Sequence, residues 1–313
     1  MEIWEAIVQG IIQGATEFLP ISSSGHLSLT QHVIGAQPES LFFDIMLHVG
    51  TLVAVLAVYY KIVWRMIKEF VLLVRDVCTG HFKWKTMSDD RRLLMMLIIG
   101  LVPLFLLFLP VPGTGMKIKD YADLWATDSS VLLEGFALLA TAALLTIGMI
   151  CSRKYSKKVI LTSDGRKMRF DGRKKYHTID ALCVGVTQCL AAVFPGLSRS
   201  GSTLSVSLMR GINKQKALDY SFVLGIPAIL AAAILSIKDV SSDPVNIAPA
   251  AVIAGMIASA IVGFLAIKLF KWMLASDKLY IFAIYAFVLG LATVIVALVE
   301  QSTGTNLFTG MPL

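Results

Sequence analysis

Six separate stretches of about 20 apolar residues recur along the 313-residue chain, and they restrict its fold more than any other feature. They run near 42–60, 91–109, 131–150, 217–236, 248–267 and 280–300. At the rise of an α-helix, each is long enough to cross a hydrocarbon core of roughly 30 Å. Hydrophobic residues make up 56% of the chain and charged residues 16%, with a mean hydropathy of +0.74, whereas soluble chains carry about 25% charged residues. A soluble globule and a disordered chain are both excluded. Four cysteines without a C-x-x-C pair, and five histidines without H-E-x-x-H, give no sign of a disulfide framework or structural zinc. The expected fold is a single all-α polytopic membrane domain over 1–313.

Charge sets the orientation. Of the 28 Lys and Arg residues, 24 fall in four segments, 61–92, 152–177, 210–216 and 268–278. The formal charge of +7 therefore belongs to a membrane surface, and no nucleic-acid partner is expected. If the six runs alternate direction, all four basic segments share one side, the cytoplasm, and the loops near 110–130 and 237–247 lie outside. The basic segments 61–90 and 152–177 read as irregular, solvated surface. Glu2 and Glu5 stand where a cleaved signal peptide would be basic, so the first apolar stretch is expected to remain in the mature chain. Trp4, Trp64, Trp125 and Trp272 lie near span boundaries, as an aromatic belt requires.

Two further apolar stretches, 3–35 and 179–209, are interrupted, the first at Phe18-Leu19-Pro20-Ile21-Ser22-Ser23-Ser24-Gly25-His26 and the second at Phe194-Pro195-Gly196-Leu197-Ser198-Arg199-Ser200-Gly201-Ser202. Pro, Gly and serine clusters free backbone groups that lipid cannot satisfy. Each stretch is therefore expected to be a re-entrant helix-loop-helix hairpin, the first opening outward and the second inward. Aligning Phe18 with Phe194 pairs Ile21 with Leu197, Ser22 with Ser198, Ser24 with Ser200 and Gly25 with Gly201. The span after each hairpin starts with an acidic residue, Asp44 or Asp219, followed by Gly50 or Gly225. Residues 1–150 and 178–300 thus read as two halves of an inverted-topology repeat, joined by the basic loop 152–177, with broken helices meeting near the midplane.

An ionisable residue inside a membrane segment is a functional candidate, because placing Arg at a helix centre costs about 2.5–3.5 kcal/mol. Arg199 lies among Gly196, Ser198, Ser200, Gly201, Ser202 and Thr203. Small residues expose backbone N–H groups, hydroxyls donate further bonds, and a guanidinium at a helix N-terminus adds a bidentate fork; together they describe a phosphate site. Gln13 and Glu17 share one face of the first half-helix and point toward Ser22, Ser23, Ser24 and His26. A carboxylate there can take a proton from a nucleophile or help to hold a divalent cation. Asp44 and His48 share a helix face and either extend this site or sit satisfied at the interface. Asp219 and Tyr220 are expected near a span entry, Asp219 as a helix cap, and Glu134, Asp180 and Glu300 at interfacial span ends.

These motifs resemble the undecaprenyl-diphosphate phosphatases of the bacitracin-resistance protein A type, over essentially the whole chain. The resemblance rests on Gln13, Glu17 and the run Phe18 to His26, on Pro195, Gly196, Ser198, Arg199, Ser200 and Thr203, and on Ala217 to Phe222 with Ile226, Pro227 and Ala228. It implies a multi-pass enzyme of the bacterial inner membrane, with its site toward the outer side. The implied reaction removes one phosphate from a polyprenyl diphosphate lipid, regenerating the carrier lipid of peptidoglycan synthesis and conferring bacitracin resistance. It also implies a divalent cation, Mg²⁺ or Ca²⁺, and it makes Glu17, Ser23, His26 and Arg199 catalytic, with Ser22, Ser24, Ser198, Ser200 and Thr203 around the phosphate. Where the family also allows Glu, this chain has Gln13, which leaves Glu17 as the carboxylate available to a metal. Ser23 is the first choice of nucleophile, with Glu17 or His26 as base; a water oriented by Glu17 is the alternative. A homodimer is compatible with all of this. A phosphatidic-acid-type phosphatase is a poor match, since Ser205 and Met209 stand where it needs His and Asp. A lipid-phosphate transporter or flippase on the same repeat is the competing reading.

Overall fold

The computed structural model describes residues 2–34, 41–84, 87–126, 131–156, 159–161, 167–169, 171–240 and 248–311. Residues 127–130 of the predicted 110–130 loop, 241–247 of the predicted 237–247 loop, and 157–158, 162–166 and 170 of the basic loop lie outside the described residues. The chain is almost entirely helical: α1 (Ile3–Glu17), α2 (Ser23–Ile34), α3 (Leu41–Cys78), α4 (Asp89–Leu101) continued by a 3₁₀ segment (Val102–Phe108), α5 (Ile118–Ala126), α6 (Leu132–Ser156), α7 (Thr178–Val193), α8 (Arg199–Met209), α9 (Lys214–Val240), α10 (Pro249–Ala275) and α11 (Tyr280–Thr303). Six of these elements are long and apolar enough to cross a membrane, close to the six predicted runs. The protein is a multi-pass membrane protein.

The four basic segments meet at one end of the helices. Arg91 at the start of α4 pairs with Glu69 (2.9 Å) and with Asp76 of α3, and Arg65 with Asp90 (3.2 Å). Lys175 reaches Asp89 (2.6 Å), Arg173 and Arg210 both grip Asp180 (2.8 Å each), and Lys214 pairs with Asp277. The alternation of span direction inferred from the charges is therefore matched by the packing.

Several expectations are corrected. Residues 61–78 are a helix rather than an irregular loop: α3 kinks at Tyr59 (φ −106°, ψ 15°) and continues for 38 residues in all, about 57 Å. Its last turns are held by the ion pairs to α4. Two short antiparallel strands, Val159–Leu161 and Lys167–Arg169, lie within the predicted basic loop. Glu134, Asp180 and Glu300, at the ends of their helices, are buried in protein, and each carboxylate has partners: Ser28 for Glu134 (3.2 Å), Arg173 and Arg210 for Asp180, and His32 for Glu300 (2.9 Å). Asn213, not Asp219, caps α9, accepting from the N–H groups of Gln215 and Lys216. Asp219 instead accepts from the Tyr59 hydroxyl (3.0 Å). Trp125 stacks on Phe194 at 5.6 Å, against the start of the second break.

Each interrupted stretch folds as two helices, α1 and α2 in the first and α7 and α8 in the second. Asp180 at the start of α7 is bonded to Arg210 at the end of α8, and His32 near the end of α2 reaches Glu300 at the far end of α11. The two breaks share one hydrogen-bond arrangement. Ser22 Oγ accepts from Gly25 N (3.2 Å) and Ser198 Oγ from Gly201 N (3.1 Å), and each hydroxyl lies 3.4 Å from that of the serine two residues on. The helices ahead of the breaks are seated by glycine. A Cβ on Gly10 would fall 2.3 Å from the Gly255 carbonyl oxygen of α10, and one on Gly185 2.3 Å from the Gly100 carbonyl oxygen of α4. The close approaches of Gly10 and Gly185 match one residue off the Phe18–Phe194 alignment, while Ser22, Ser24 and Gly25 keep the bonds of Ser198, Ser200 and Gly201 within it.

Gly10→Ala and Gly185→Ala should each lower stability by about 1–3 kcal/mol, because backbone cannot retreat as a side chain can. Thermal unfolding of the purified variants in detergent measures this, and unchanged midpoints would show that these helices do not touch through their backbones.

Candidate active site

The breaks bring the two half-helix pairs into direct contact. Gly196 N donates to Ser24 Oγ (3.3 Å) and Ser200 Oγ donates to the Leu19 carbonyl (3.2 Å), one stitch in each direction. Gly201 packs on Pro20 and Gly25 on Gly196, where small residues leave room for backbone. Both α2 and α8 begin at this junction, so two helix N-termini, the positive ends of their dipoles, converge on one place.

A cavity of about 280 Å³ opens there, with Glu17, Ser22, Ser23, Ser24, Ser198 and Arg199 in its wall. Glu17 sits at its centre, with both carboxylate oxygens in use. Oε1 forms an ion pair with the Arg199 guanidinium. Oε2 accepts from Ser23 Oγ (2.6 Å) and Gln13 Nε2 (3.0 Å), and lies 3.4 Å from His48 Nε2. The anion is buried to 6% exposure and is held by compensating charge and hydrogen bonds. Arg199 lies across Gly225, where an added Cβ would fall 1.8 Å from Nη1, so the absence of a side chain at 225 is what lets the guanidinium pass.

The predicted residues divide into two groups. Glu17, Ser22, Ser23, Ser24, Ser198 and Arg199 line the cavity, and Gln13 stands directly behind Glu17. His26 is not among the lining residues: its Nδ1 lies 2.6 Å from the Ser22 carbonyl and its Nε2 2.7 Å from the Tyr285 hydroxyl, with the ring stacked on Tyr285. Thr203 is fully buried, donating to the Arg199 carbonyl (2.8 Å) and bonded to Ser221 (2.6 Å). Ser200 serves the stitch to Leu19. His26, Thr203 and Ser200 are thus bonded within and around the two breaks and are not among the residues lining the cavity.

His48, weighed as an extension of the site, does join it, one turn beyond Asp44 on α3. Two residues were not singled out as site residues by sequence: Gly225, whose role is visible only through the side chain it admits, and Gln188, a lone amide within an apolar helix. Among the described residues, no group of three His, Cys, Asp or Glu is arranged to hold a metal ion. Near Glu17 the possible ligands are one carboxylate, serine hydroxyls, the His48 imidazole and the Gln13 amide oxygen, which is buried without a hydrogen-bond partner.

The model of the family described as bacitracin resistance protein BacA matches residues 6–292. An undecaprenyl-diphosphatase of Methanosphaera stadtmanae is 36% identical over 302 residues, covering 96% of this chain and 99% of that protein. Undecaprenyl-diphosphatases of Alkaliphilus metalliredigens and Desulfatibacillum aliphaticivorans are 36% and 37% identical, covering 95% and 94% of this chain and 100% and 98% of their own lengths. The match spans both breaks and the residues that meet between them, and the chain belongs to the bacitracin resistance protein BacA family.

Proposed function

We propose that the protein is a phosphatase that hydrolyses undecaprenyl diphosphate to undecaprenyl phosphate and inorganic phosphate, returning the carrier lipid to wall synthesis and conferring bacitracin resistance. The observation that carries this reading is the convergence of Glu17, Ser23 and Arg199 on one cavity between two helix N-termini. It is supported by the names of the relatives and by family membership. The proposal extends to the frame: 1–150 and 178–300 as inverted halves, α1–α2 and α7–α8 as re-entrant hairpins, the basic end in the cytoplasm, and the first hairpin open to the outer face of the cell membrane.

The terminal phosphoryl group sits at the N-termini of α2 and α8, where dipoles and Arg199 hold its charge. Ser23 Oγ attacks the terminal phosphorus and passes its proton to Glu17, to which it is already bonded. The bond to the bridging oxygen breaks, the lipid monophosphate leaves, and water then hydrolyses the phosphoserine. Arg199 stabilises the charge that grows on the departing oxygen, while the Gln13 amide and His48 hold the carboxylate in place. His26 acts as a positioning residue, fixing the Ser22 carbonyl through its ring. A divalent cation, Mg²⁺ or Ca²⁺, fits the oxygen donors here. Glu17 and the Gln13 amide oxygen would hold it. When bound, it would neutralise charge on the diphosphate.

Ser23→Ala should lower phosphate release from polyprenyl diphosphate by at least about 10³-fold while lipid binding persists, on the scale of losing a nucleophile. Release near the wild-type rate would rule out the serine mechanism and leave the water route. Arg199→Lys should cost roughly 10²-fold in kcat, since an ammonium lacks the planar fork; unchanged turnover would refute the role given to the guanidinium. Gly225→Ala should be nearly as damaging, because the new methyl displaces the guanidinium, yet a mobile tip can move aside and unfolding should shift little. Steady-state assays paired with melting curves test both halves of that statement. Chelation of divalent ions should abolish release and added Mg²⁺ should restore it; activity indifferent to chelator would exclude the cation.

A further inference from the structure

Gln188 lies on α7 in the wall of the same cavity as Glu17 and Arg199 and is only 1% exposed. Neither its amide nitrogen nor its amide oxygen has a hydrogen-bond partner. A buried amide with both ends unsatisfied opposes folding, and native chains keep such a group only where something else satisfies it.

The pairing of the two half-helices gives the reason. Gly10 to Pro20 reads GIIQGATEFLP, and Gly185 to Pro195 reads GVTQCLAAVFP. Gly10 and Gly185 make the same close approach to a neighbouring backbone, so Gln13 and Gln188 occupy equivalent places. One turn further on, the first half carries Glu17, which accepts from the Gln13 amide at 3.0 Å. The second half carries Ala192, which itself lines the cavity. The helix that positions Gln188 has thus kept the amide and lacks the carboxylate that would satisfy it. A second carboxylate at 192 would repel an anionic head group, whereas alanine leaves space for one.

We infer that Gln188 is a substrate-binding residue whose amide N–H₂ donates to a non-bridging phosphate oxygen of the diphosphate head group, with its carbonyl accepting from a water in the cavity. This rests on the reading of the cavity as a diphosphate site and adds to it a ligand from the half of the chain opposite Glu17.

The test uses the purified full-length protein, a polyprenyl diphosphate substrate and a non-hydrolysable polyprenyl methylenebisphosphonate. Gln188→Met keeps the length of the side chain and removes both polar atoms. Its kcat/KM should fall about 10- to 100-fold, as for a lost hydrogen bond to a charged group. Its affinity for the bisphosphonate should fall by a similar factor, while its melting point without ligand stays the same or rises, because an unsatisfied amide has been removed. Gln188→Glu should bind the bisphosphonate more weakly still. Ser23→Ala should retain bisphosphonate binding, which separates recognition from chemistry. If wild type binds the bisphosphonate through Gln188 but releases no phosphate from the diphosphate, the hydrolase reading fails and the assignment of Gln188 stands. Wild-type affinity in Gln188→Met, or a lowered melting point with unchanged kcat/KM, would overturn the assignment and make Gln188 a structural residue only.

Discussion

The buried ion pair between Glu17 and Arg199 is the interaction on which the rest of the structure depends. Neither charge is tolerable alone at this depth: removing one partner of such a pair leaves an uncompensated charge and typically costs about 3–5 kcal/mol. The partners come from different broken helices, so the pair is also a tie between the first and second halves of the chain. The two ends of the tie are unequal. The Arg199 side chain retains 23% exposure and Glu17 only 4%, so the cation is the accessible end of the pair while the carboxylate is held by Ser23, Gln13 and His48.

Around that pair, the backbone solves one problem twice. A helix interrupted within a membrane exposes N–H groups that lipid cannot satisfy, and each break answers with a serine that caps the helix following it. Two further bonds tie the breaks to each other, Ser24 with Gly196 and Ser200 with Leu19. Glycine-backed contacts of α1 on α10 and of α7 on α4 then seat these helices against their neighbours. Hydroxyls and helix N-termini are thereby gathered at one point.

What was legible in the sequence follows from this division. The spans were readable because lipid demands unbroken apolar length, and their direction was readable because basic residues must stay together; Arg91, Arg173 and Arg210 do so through shared carboxylates. The breaks were readable because Pro20, Pro195 and the serine runs have no other place in an apolar stretch. What could not be read depends on contact at a distance in the chain. His26 turns away because Tyr285 is there to receive it. The helix from Lys61 to Cys78 persists because α4 supplies Arg91. Gly225 matters through the guanidinium that crosses it, and Asp180 is buried because two arginines come to it from separate segments. A lone charged or polar letter says that a partner is needed and does not say which one.

The left-handed turn in each break is made differently: by Ser22, φ 72°, in the first and by Gly196, φ 85°, in the second. A residue with a side chain pays for that conformation where glycine does not, and in return Ser22 brings a hydroxyl to the cavity wall, whereas Gly196 presses its backbone against Glu134. The two breaks therefore differ at their turns, although residues of both line the same cavity. With that single cavity shared, the stoichiometry on the proposed reading is one head group per polypeptide.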